Sequence, residues 1–508
     1  MDLFSGIFGY SEDNPMLFTR IYFWGFLSIL LLGYSILYRK NVWRNAWLFF
    51  MSLFFYYKSG GYFFSLLVFS TITDYVLGQL IYRSPTIARR KLFLTVSIVI
   101  NLGLLAYFKY AYFITETFNQ VTGKDLDVVN FLALWYNKVA GGNLDVSVIV
   151  LPVGISFFTF QTISYAVDVY TGKTKPVKNI IDFGFYVSFF PQLVAGPIVR
   201  AAEFIPQLYS SFRLTMRQMG HAVFLIVSGL IKKMIISDYI SVNFVDRVFD
   251  NPIAYTGFEN LMALYGYSVQ IYCDFSGYTD IAIGVALLLG FRLPINFNSP
   301  YKALNVTDFW RRWHISLSTW LRDYLYIPIG GNKKGVLRNY GNILITMLLG
   351  GLWHGAYLRF VLWGGLHGLA LVVHKMWTGI FPPGPGSGYI SSGLKRFLSV
   401  FFTFQFVSFA WLLFRADNME IVGAMLGQIF YSFDAAYIVR VTEARLPVFS
   451  MITAALLIHW LPSSLKEWYR GKFIKTHIVL KILIVVLLVF IIYQVSSAEI
   501  QPFIYFRF

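Results

Sequence analysis

Long apolar stretches recur along almost the whole chain, and only short polar segments separate them. A helix needs roughly 20 apolar residues to cross the hydrocarbon core of a bilayer. Several runs reach that length, and two of them, 258–290 and 340–378, are long enough to be pairs that break near Gly277 and Arg359. The pattern predicts an all-α, polytopic membrane protein with about eleven or twelve transmembrane helices.

Two apolar stretches are expected to be irregular. Residues 47–57 are too few to span and end in Lys58, which predicts a re-entrant hairpin or a tilted helix. Residues 183–197 contain Pro191 and Pro197, which interrupt an apolar run. Non-helical backbone at membrane depth must line protein or water, so a break in this second stretch indicates a functional region.

The composition supports one membrane-embedded domain over residues 1–508. Only 13% of residues are charged and 57% are hydrophobic, whereas about a quarter of a soluble protein is charged. A soluble chain of this length would also divide into domains joined by polar linkers. Re-entrant or interfacial helices are expected within that domain, with a cytoplasmic-facing segment at about 301–338 and an extracytoplasmic tail at 497–508.

The net charge of +17 does not indicate a nucleic-acid-binding protein, because the basic residues fall in short loops between apolar runs. Basic loops mark the cytoplasmic side of a membrane protein. The loops at 39–44 and 462–477 are therefore placed inside, and both termini outside. The single cysteine, Cys273, excludes an internal disulfide and a cysteine-built metal cage.

Two histidines stand out as candidates for chemistry. His314 lies in the segment 308–331, which mixes charged and aromatic residues too densely to face lipid, although an interfacial helix would also explain that composition. His354 lies inside an apolar run beside Gly350, Gly351 and Gly355, which we expect to leave open space for a substrate. An ionisable group at membrane depth is costly, so it faces a wet cavity or a neighbouring helix.

His367 and His374 share a helix face, but no third ligand accompanies them, so no metal site is predicted and a packing or lining role is favoured. Several functional classes share this architecture. Transporters and exporters of a polysaccharide or a lipid-linked precursor are polytopic with broken helices. A lipid-directed acyltransferase or a glycosyltransferase in the same membrane is another class. We find no repeat between the two halves of the chain, which disfavours a transporter.

Several motifs resemble the membrane-bound O-acyltransferase (MBOAT) family, and most of all the membrane subunits of bacterial alginate O-acetyltransferases. They run in order through most of the chain, at 189–200, 270–280, 294–301, 308–331, 351–356, 411–416 and 502–508. The resemblance implies a ring of tilted helices around a thinned centre, in which a cytoplasmic thioester donor meets an acceptor from the far side. It also implies that His354 is catalytic and that His314 is the second site residue.

The resemblance implies transfer of an acyl group, most simply acetyl, toward an extracytoplasmic polysaccharide such as alginate, in the bacterial inner membrane. The donor would be acetyl-CoA or an acyl carrier protein thioester, no cofactor would be bound permanently, and an extracytoplasmic acetyltransferase partner would complete the transfer. Our hypothesis is that His354 acts as the general base, because an uncharged imidazole can accept the proton of an attacking hydroxyl.

Arg311, Arg312, Lys333 and Lys334 could attract the phosphates of the donor, although the ordinary bias of basic residues toward the cytoplasm explains them equally well. In the tail, Tyr505 could carry the acyl group as a tyrosyl ester. An aromatic anchor at the membrane interface is the favoured explanation of Tyr505.

Overall fold

All the regular secondary structure in the part of the chain that the structure, a computed structural model, describes is helical. The described residues are 9–11, 15–211, 213–381 and 393–495, and no β-strand occurs among them. The predicted all-α class is therefore confirmed.

Contacts along the chain define two compact units. The first comprises Met1–Phe212 with Gly355–Tyr357, and the second comprises Arg213–His354 with Leu358–Phe508. The single domain that we predict over 1–508 stays a prediction.

The first unit is built from ten helices among its described residues. They are α1 (Ile21–Leu37), α2 (Asn41–Gly60), α3 (Phe64–Arg83), α4 (Ile87–Leu105), α5 (Ala111–Thr122), α6 (Phe131–Ala140), α7 (Ile155–Tyr170), α8 (Ile180–Ser188), α9 (Phe190–Leu193) and α10 (Ala201–Leu208). Short 3₁₀ and π-helical turns join some of them, at Gly61–Phe63 and Ala106–Tyr110.

A buried polar cluster joins three helices of this unit. Asp74 on α3 accepts hydrogen bonds from Ser97 Oγ at 2.5 Å and from Asn101 Nδ2 at 2.8 Å, both on α4. Thr162 Oγ1 on α7 donates to Asn101 Oδ1 at 2.8 Å. Polar groups inside an apolar helix bundle are stable only when they are hydrogen-bonded, so this cluster fixes how the three helices pack.

The second unit begins with α11 (Met216–Leu230) and continues through α12 (Asp238–Ile240), α13 (Asp246–Asp250), α14 (Gly257–Leu288), α15 (Val306–Arg312), α16 (Ile315–Leu321), α17 (Val336–His354) and α18 (Leu358–Ile380). It ends with α19 (Gly393–Arg415), α20 (Met419–Tyr431), α21 (Ile438–Ala444), α22 (Leu446–Trp460), α23 (Ser463–Lys475) and α24 (Ile478–Val495). π-helical turns occur at Ile231–Ser237, Ser241–Val245 and Arg322–Tyr326, and 3₁₀ turns at Pro252–Ala254, Pro300–Lys302 and Ala435–Tyr437.

Among the described residues, five helices are long and apolar enough to cross a membrane, or seven if each of two bent pairs counts as one span. Helices that are joined by a 3₁₀ or π-helical turn count as one here, and the five are Asn41–Arg83, Ile87–Thr122, Met216–Asp250, Gly257–Leu288 and Gly393–Arg415. This is fewer than the eleven or twelve that we predict from the sequence. One reason is that some apolar runs form short or buried helices, such as α1 with 17 residues and α7 with 16.

Of the two alternatives that we predict for residues 47–57, the hairpin is wrong, and the tilt of the helix stays a prediction. Those residues belong to the continuous 20-residue helix α2, which extends because the polar residues before the apolar stretch are buried and bonded inside the unit. Arg44 Nη2 donates to Leu208 O at 2.5 Å, and Asn45 Nδ2 donates to Asp182 Oδ1 at 2.7 Å. These hydrogen bonds stabilise the polar first turns of α2, so the helix is longer than its apolar stretch.

The predicted break near Gly277 is also wrong, because α14 is one continuous helix of 32 residues. Gly277 instead marks a close helix contact: a Cβ atom there would lie 2.8 Å from Gly229 O on α11. The two other predicted breaks are confirmed. The run 340–378 divides between His354 and Leu358, and α8 ends at Ser188 inside the run 183–197.

Candidate active site

His314 occupies a left-handed turn between the short helices α15 and α16, with φ 43° and ψ 53°. The neighbouring backbone is held by Asn296, whose O accepts from Ile315 N at 3.0 Å and whose Oδ1 accepts from Ser316 N at 3.2 Å. A non-glycine residue in this conformation costs about 1–3 kcal/mol and persists only where its surroundings enforce it. The turn therefore fixes the direction in which the imidazole leaves the chain.

His354 is the last residue of α17, which pairs with α18 as a tight hairpin of helices. A Cβ atom at Gly351 would lie 2.2 Å from Phe360 O, and one at Gly364 would lie 2.2 Å from Met347 O. The glycines thus allow the two backbones to touch. Our expectation that Gly350 and Gly351 leave open space for a substrate is wrong at Gly351, because the backbone of α18 fills that space.

The structure brings the two predicted histidines together, with ring centroids 6.3 Å apart. Their side chains are buried: His314 is 0% and His354 3% exposed. Trp353 contacts both rings, with centroids 6.2 Å from His314 and 5.0 Å from His354. Two imidazoles at this separation can contact neighbouring atoms of one reacting group.

Aromatic rings from several helices enclose the pair. Trp363 on α18 and Phe414 on α19 each lie 5.3 Å from the His354 ring, and Phe275 on α14 lies 4.7 Å from the His314 ring. His314 lies outside the candidate spans, and burial lowers its pKa to about 3. It is therefore uncharged at neutral pH.

His367 belongs to the same cluster of rings, in keeping with the packing or lining role that we favour from the sequence, whereas its neighbour Trp363 is not anticipated. Its ring lies 4.9 Å from that of Trp363, and its Nδ1 accepts from Trp310 Nε1 at 3.3 Å. The four-residue spacing of Trp363 and His367, which places them on one face of α18, is the sequence signal that could have revealed them. His374 has a different neighbour, since its Nδ1 lies 3.0 Å from Thr307 Oγ1.

A cavity of about 520 Å³ lies beside this cluster. It is lined by apolar groups that include Trp310 and Met347, and by the cations Arg311, Arg322 and Lys375. Trp310 lies between the cavity and the ring cluster, because it lines the cavity and its ring lies 5.7 Å from that of Trp363, which contacts His354. We call this space the Trp310 cavity.

The four basic residues predicted to bind the donor are not all brought together. Arg311 lines the Trp310 cavity, whereas Arg312 lines a second cavity. Lys333 and Lys334 lie in the loop that precedes α17 and line neither. Tyr505 lies outside the described residues, so its role as an acyl relay stays a prediction.

Comparison with known proteins defines the family. The family model described as MBOAT, membrane-bound O-acyltransferase family, matches residues 177–385, which include His314 and His354. The chain is 36% identical to the peptidoglycan O-acetyltransferase of Helicobacter pylori, over 79% of this chain and 77% of the relative. The chain belongs to the membrane-bound O-acyltransferase family.

Other family members show how far the similarity extends. The chain is 35% identical to the probable alginate O-acetylase AlgI of Pseudomonas putida, over 82% of this chain and 84% of the relative. It is 29% identical to the teichoic acid D-alanyltransferase of Bacillus subtilis, over 52% of this chain and 68% of the relative. The protein is thus a multi-pass membrane O-acyltransferase, and the transporter alternative is not supported.

Proposed function

We propose that this O-acyltransferase moves an acyl group, most simply acetyl, from a cytoplasmic thioester to an extracytoplasmic polysaccharide. The observation that carries the proposal is the buried pair of imidazoles 6.3 Å apart, in a chain of this family. The names of two similar relatives supply the acyl group and the class of acceptor, because both describe acetylation and name peptidoglycan or alginate.

His354 acts as the general base in this mechanism. Its imidazole takes the proton of an attacking hydroxyl while the oxygen forms a bond to the thioester carbonyl carbon. The carbon–sulfur bond then breaks, and the thiolate leaves with the electron pair and receives the proton back from His354. A strong general acid is unnecessary, because a thiol has a pKa of about 8.5.

His314 stabilises or orients the reacting group beside His354. Its low pKa keeps the ring neutral, so one ring nitrogen is a hydrogen-bond donor that can face the developing oxyanion. The enforced left-handed turn supports this role, since backbone strain of this kind is concentrated at functional sites.

The Trp310 cavity is the proposed entrance for the thioester. Its apolar walls suit the arm of a thioester carrier, and Arg311, Arg322 and Lys375 at its lining suit the phosphates of coenzyme A or of a carrier protein. The positive-inside pattern favours a cytoplasmic position for this face. It also favours extracytoplasmic termini in a bacterial inner membrane, where an acetyltransferase partner would act on the polymer.

Transfer of labelled acetyl from acetyl-CoA tests the proposal in membrane vesicles that contain the full chain, the polysaccharide and the extracytoplasmic fraction of the same cells. We expect His354→Ala to lower the rate by about 10²- to 10⁴-fold, the usual contribution of a general base. The matched control is His477→Ala, which replaces an exposed histidine. Wild-type rates in His354→Ala would refute the catalytic role, and label found only in lipid would refute the acceptor class.

A further inference from the structure

A second cavity, of about 490 Å³, is lined mainly by basic and polar groups. We call it the basic pocket, and its lining residues are Asn298, Ser299, Lys302, Leu304, Arg312, Arg396 and Ser463. Lys466 adds a further cation at its edge, because its Nζ donates to Ser299 Oγ at 3.1 Å. It shares no lining residue with the Trp310 cavity, and neither His314 nor His354 lines it, so it is distinct from the proposed entrance for the thioester.

The charge of the basic pocket is only partly compensated. Arg312 pairs with Asp308 at 2.9 Å, and Lys302 donates to the backbone at Leu461 O at 2.6 Å. Arg396 forms no ion pair or hydrogen bond with any residue that the structure describes. The pKa of Lys302 is lowered by burial and further by Arg312 and Arg396, which shows that the cations disfavour one another. An anion in the pocket would relieve this repulsion.

An apolar groove of about 640 Å³ adjoins the basic pocket and shares three of its lining residues, namely Lys302, Arg396 and Ser463. Aromatic side chains form much of its wall. Phe397 is 64% exposed, Phe401 43% and Trp460 42%. We call this surface the aromatic groove. A strongly basic site that continues into an exposed aromatic groove suits a ligand with an anionic head and an apolar tail.

The surrounding helices place both surfaces where a bilayer changes from apolar to polar. The candidate span α19 begins at Gly393, and both Arg396 and Phe397 lie in its first turns. The apolar helix α22 bends by 96° into α23, which carries Lys466, Arg470, Lys472 and Lys475. A basic helix that turns sharply away from an apolar one is typical of the headgroup region.

We propose that the basic pocket and the aromatic groove together bind one anionic phospholipid, with its phosphate among Lys302, Arg312 and Arg396 and an acyl chain along the groove. Basic pockets between helices on the cytoplasmic side of a membrane bind lipid headgroups in this way. The exposed rings of the groove favour a lipid over a soluble phosphate, which would leave them without a partner. The inference does not depend on the catalytic proposal, because it concerns binding alone.

Native mass spectrometry of the full chain in detergent tests this, with phosphatidylglycerol and phosphatidylcholine as probes. We expect one tightly held phosphatidylglycerol and no comparable phosphatidylcholine. Arg396→Gln should weaken its binding about fivefold, the usual contribution of one basic residue near a lipid surface. The matched control is the neighbouring exposed Lys395, which lines neither cavity, so Lys395→Gln should bind as the wild type does.

Two further measurements of binding show whether the phosphate belongs to a lipid or to a soluble molecule. Glycerophosphoglycerol, which has the headgroup without acyl chains, should bind far more weakly than the whole lipid, and coenzyme A or inorganic phosphate should not displace the lipid. Arg396→Lys should keep the binding, which excludes a folding defect as the cause of its loss in Arg396→Gln. Equal binding of the two lipids, displacement by coenzyme A, or full binding by Arg396→Gln would each overturn the proposal.

Discussion

Replacing Gly351 with alanine tests whether the contact between α17 and α18 is as close as the structure indicates. The new Cβ atom would lie 2.2 Å from Phe360 O and 3.1 Å from the Cα atom of Gly364, whereas carbon atoms in contact are normally about 3.5–4.0 Å apart. Both neighbours are backbone atoms of α18, so no side-chain rotation relieves the overlap. The two helices must therefore move apart by about an ångström.

The expected change in the free energy of unfolding follows from two opposing contributions. Overpacking of this kind costs about 3 kcal/mol, the upper end of the usual range, because the overlap is with backbone. Alanine recovers about 1 kcal/mol through its better helix propensity. We therefore expect Gly351→Ala to lower the free energy of unfolding by about 2 kcal/mol.

The same helix provides the control. A Cβ atom at Gly341 would meet nothing within 4 Å, so Gly341→Ala should stabilise the protein by about 1 kcal/mol through helix propensity alone. Thermal unfolding in detergent at one heating rate should rank Gly341→Ala above the wild type and Gly351→Ala below it. If Gly351→Ala unfolds at or above the wild-type temperature, the backbone contact is not present in the protein.

Three other substitutions test the electrostatic features of the second unit. Because the pKa of His314 falls from 6.5 to about 3 on burial, its contribution to stability is full above pH 6.5 and is lost progressively as the pH falls toward 3. At pH 5 the loss of stability is about 2 kcal/mol. Asparagine tolerates the left-handed turn, so His314→Asn should show a smaller drop in unfolding temperature between pH 7 and pH 5 than the wild type does. An equal drop in the two proteins would contradict this. Lys233 pairs with Asp274 at 2.5 Å and with Asp238 at 2.8 Å in the interior, so Lys233→Met should cost about 3–5 kcal/mol, because it removes the cation from a buried ion pair. Arg470→Gln, which removes an ion pair with the exposed Glu467, should change the stability by less than about 1 kcal/mol, and equal effects of the two substitutions would refute the distinction.

Much of the site could be predicted from residue types alone. His314 and His354 can be recognised as site residues because an ionisable ring in an apolar or aromatic segment is costly. The structure places their rings side by side. Their separation could not be predicted, because it depends on the turn at His314. That turn is enforced by hydrogen bonds to Asn296, 18 residues earlier, and local propensity does not reveal bonds of this range.

Glycines were the main source of error in the predicted fold. From the sequence, Gly277 suggested a helix break and Gly351 suggested open space. In the structure both are positions where another helix approaches to backbone contact. A glycine can serve either purpose, and only the presence of a partner helix decides between them. The sequence does not show which helix packs against which.

The two imidazoles are fixed by different backbone contacts, and this has a consequence for mutagenesis. His354 is the last residue of α17, which touches α18 at Gly351 and Gly364, so its position depends on how closely the two helices pack. His314 depends instead on the turn that Asn296 holds. A misplacement of about 1 Å at a reacting group can lower a rate about 100-fold, so Gly351→Ala should reduce acetyl transfer far more than its modest loss of stability suggests. Because the turn at His314 is held by separate bonds, the same variant should leave the pH dependence of unfolding that His314 causes unchanged.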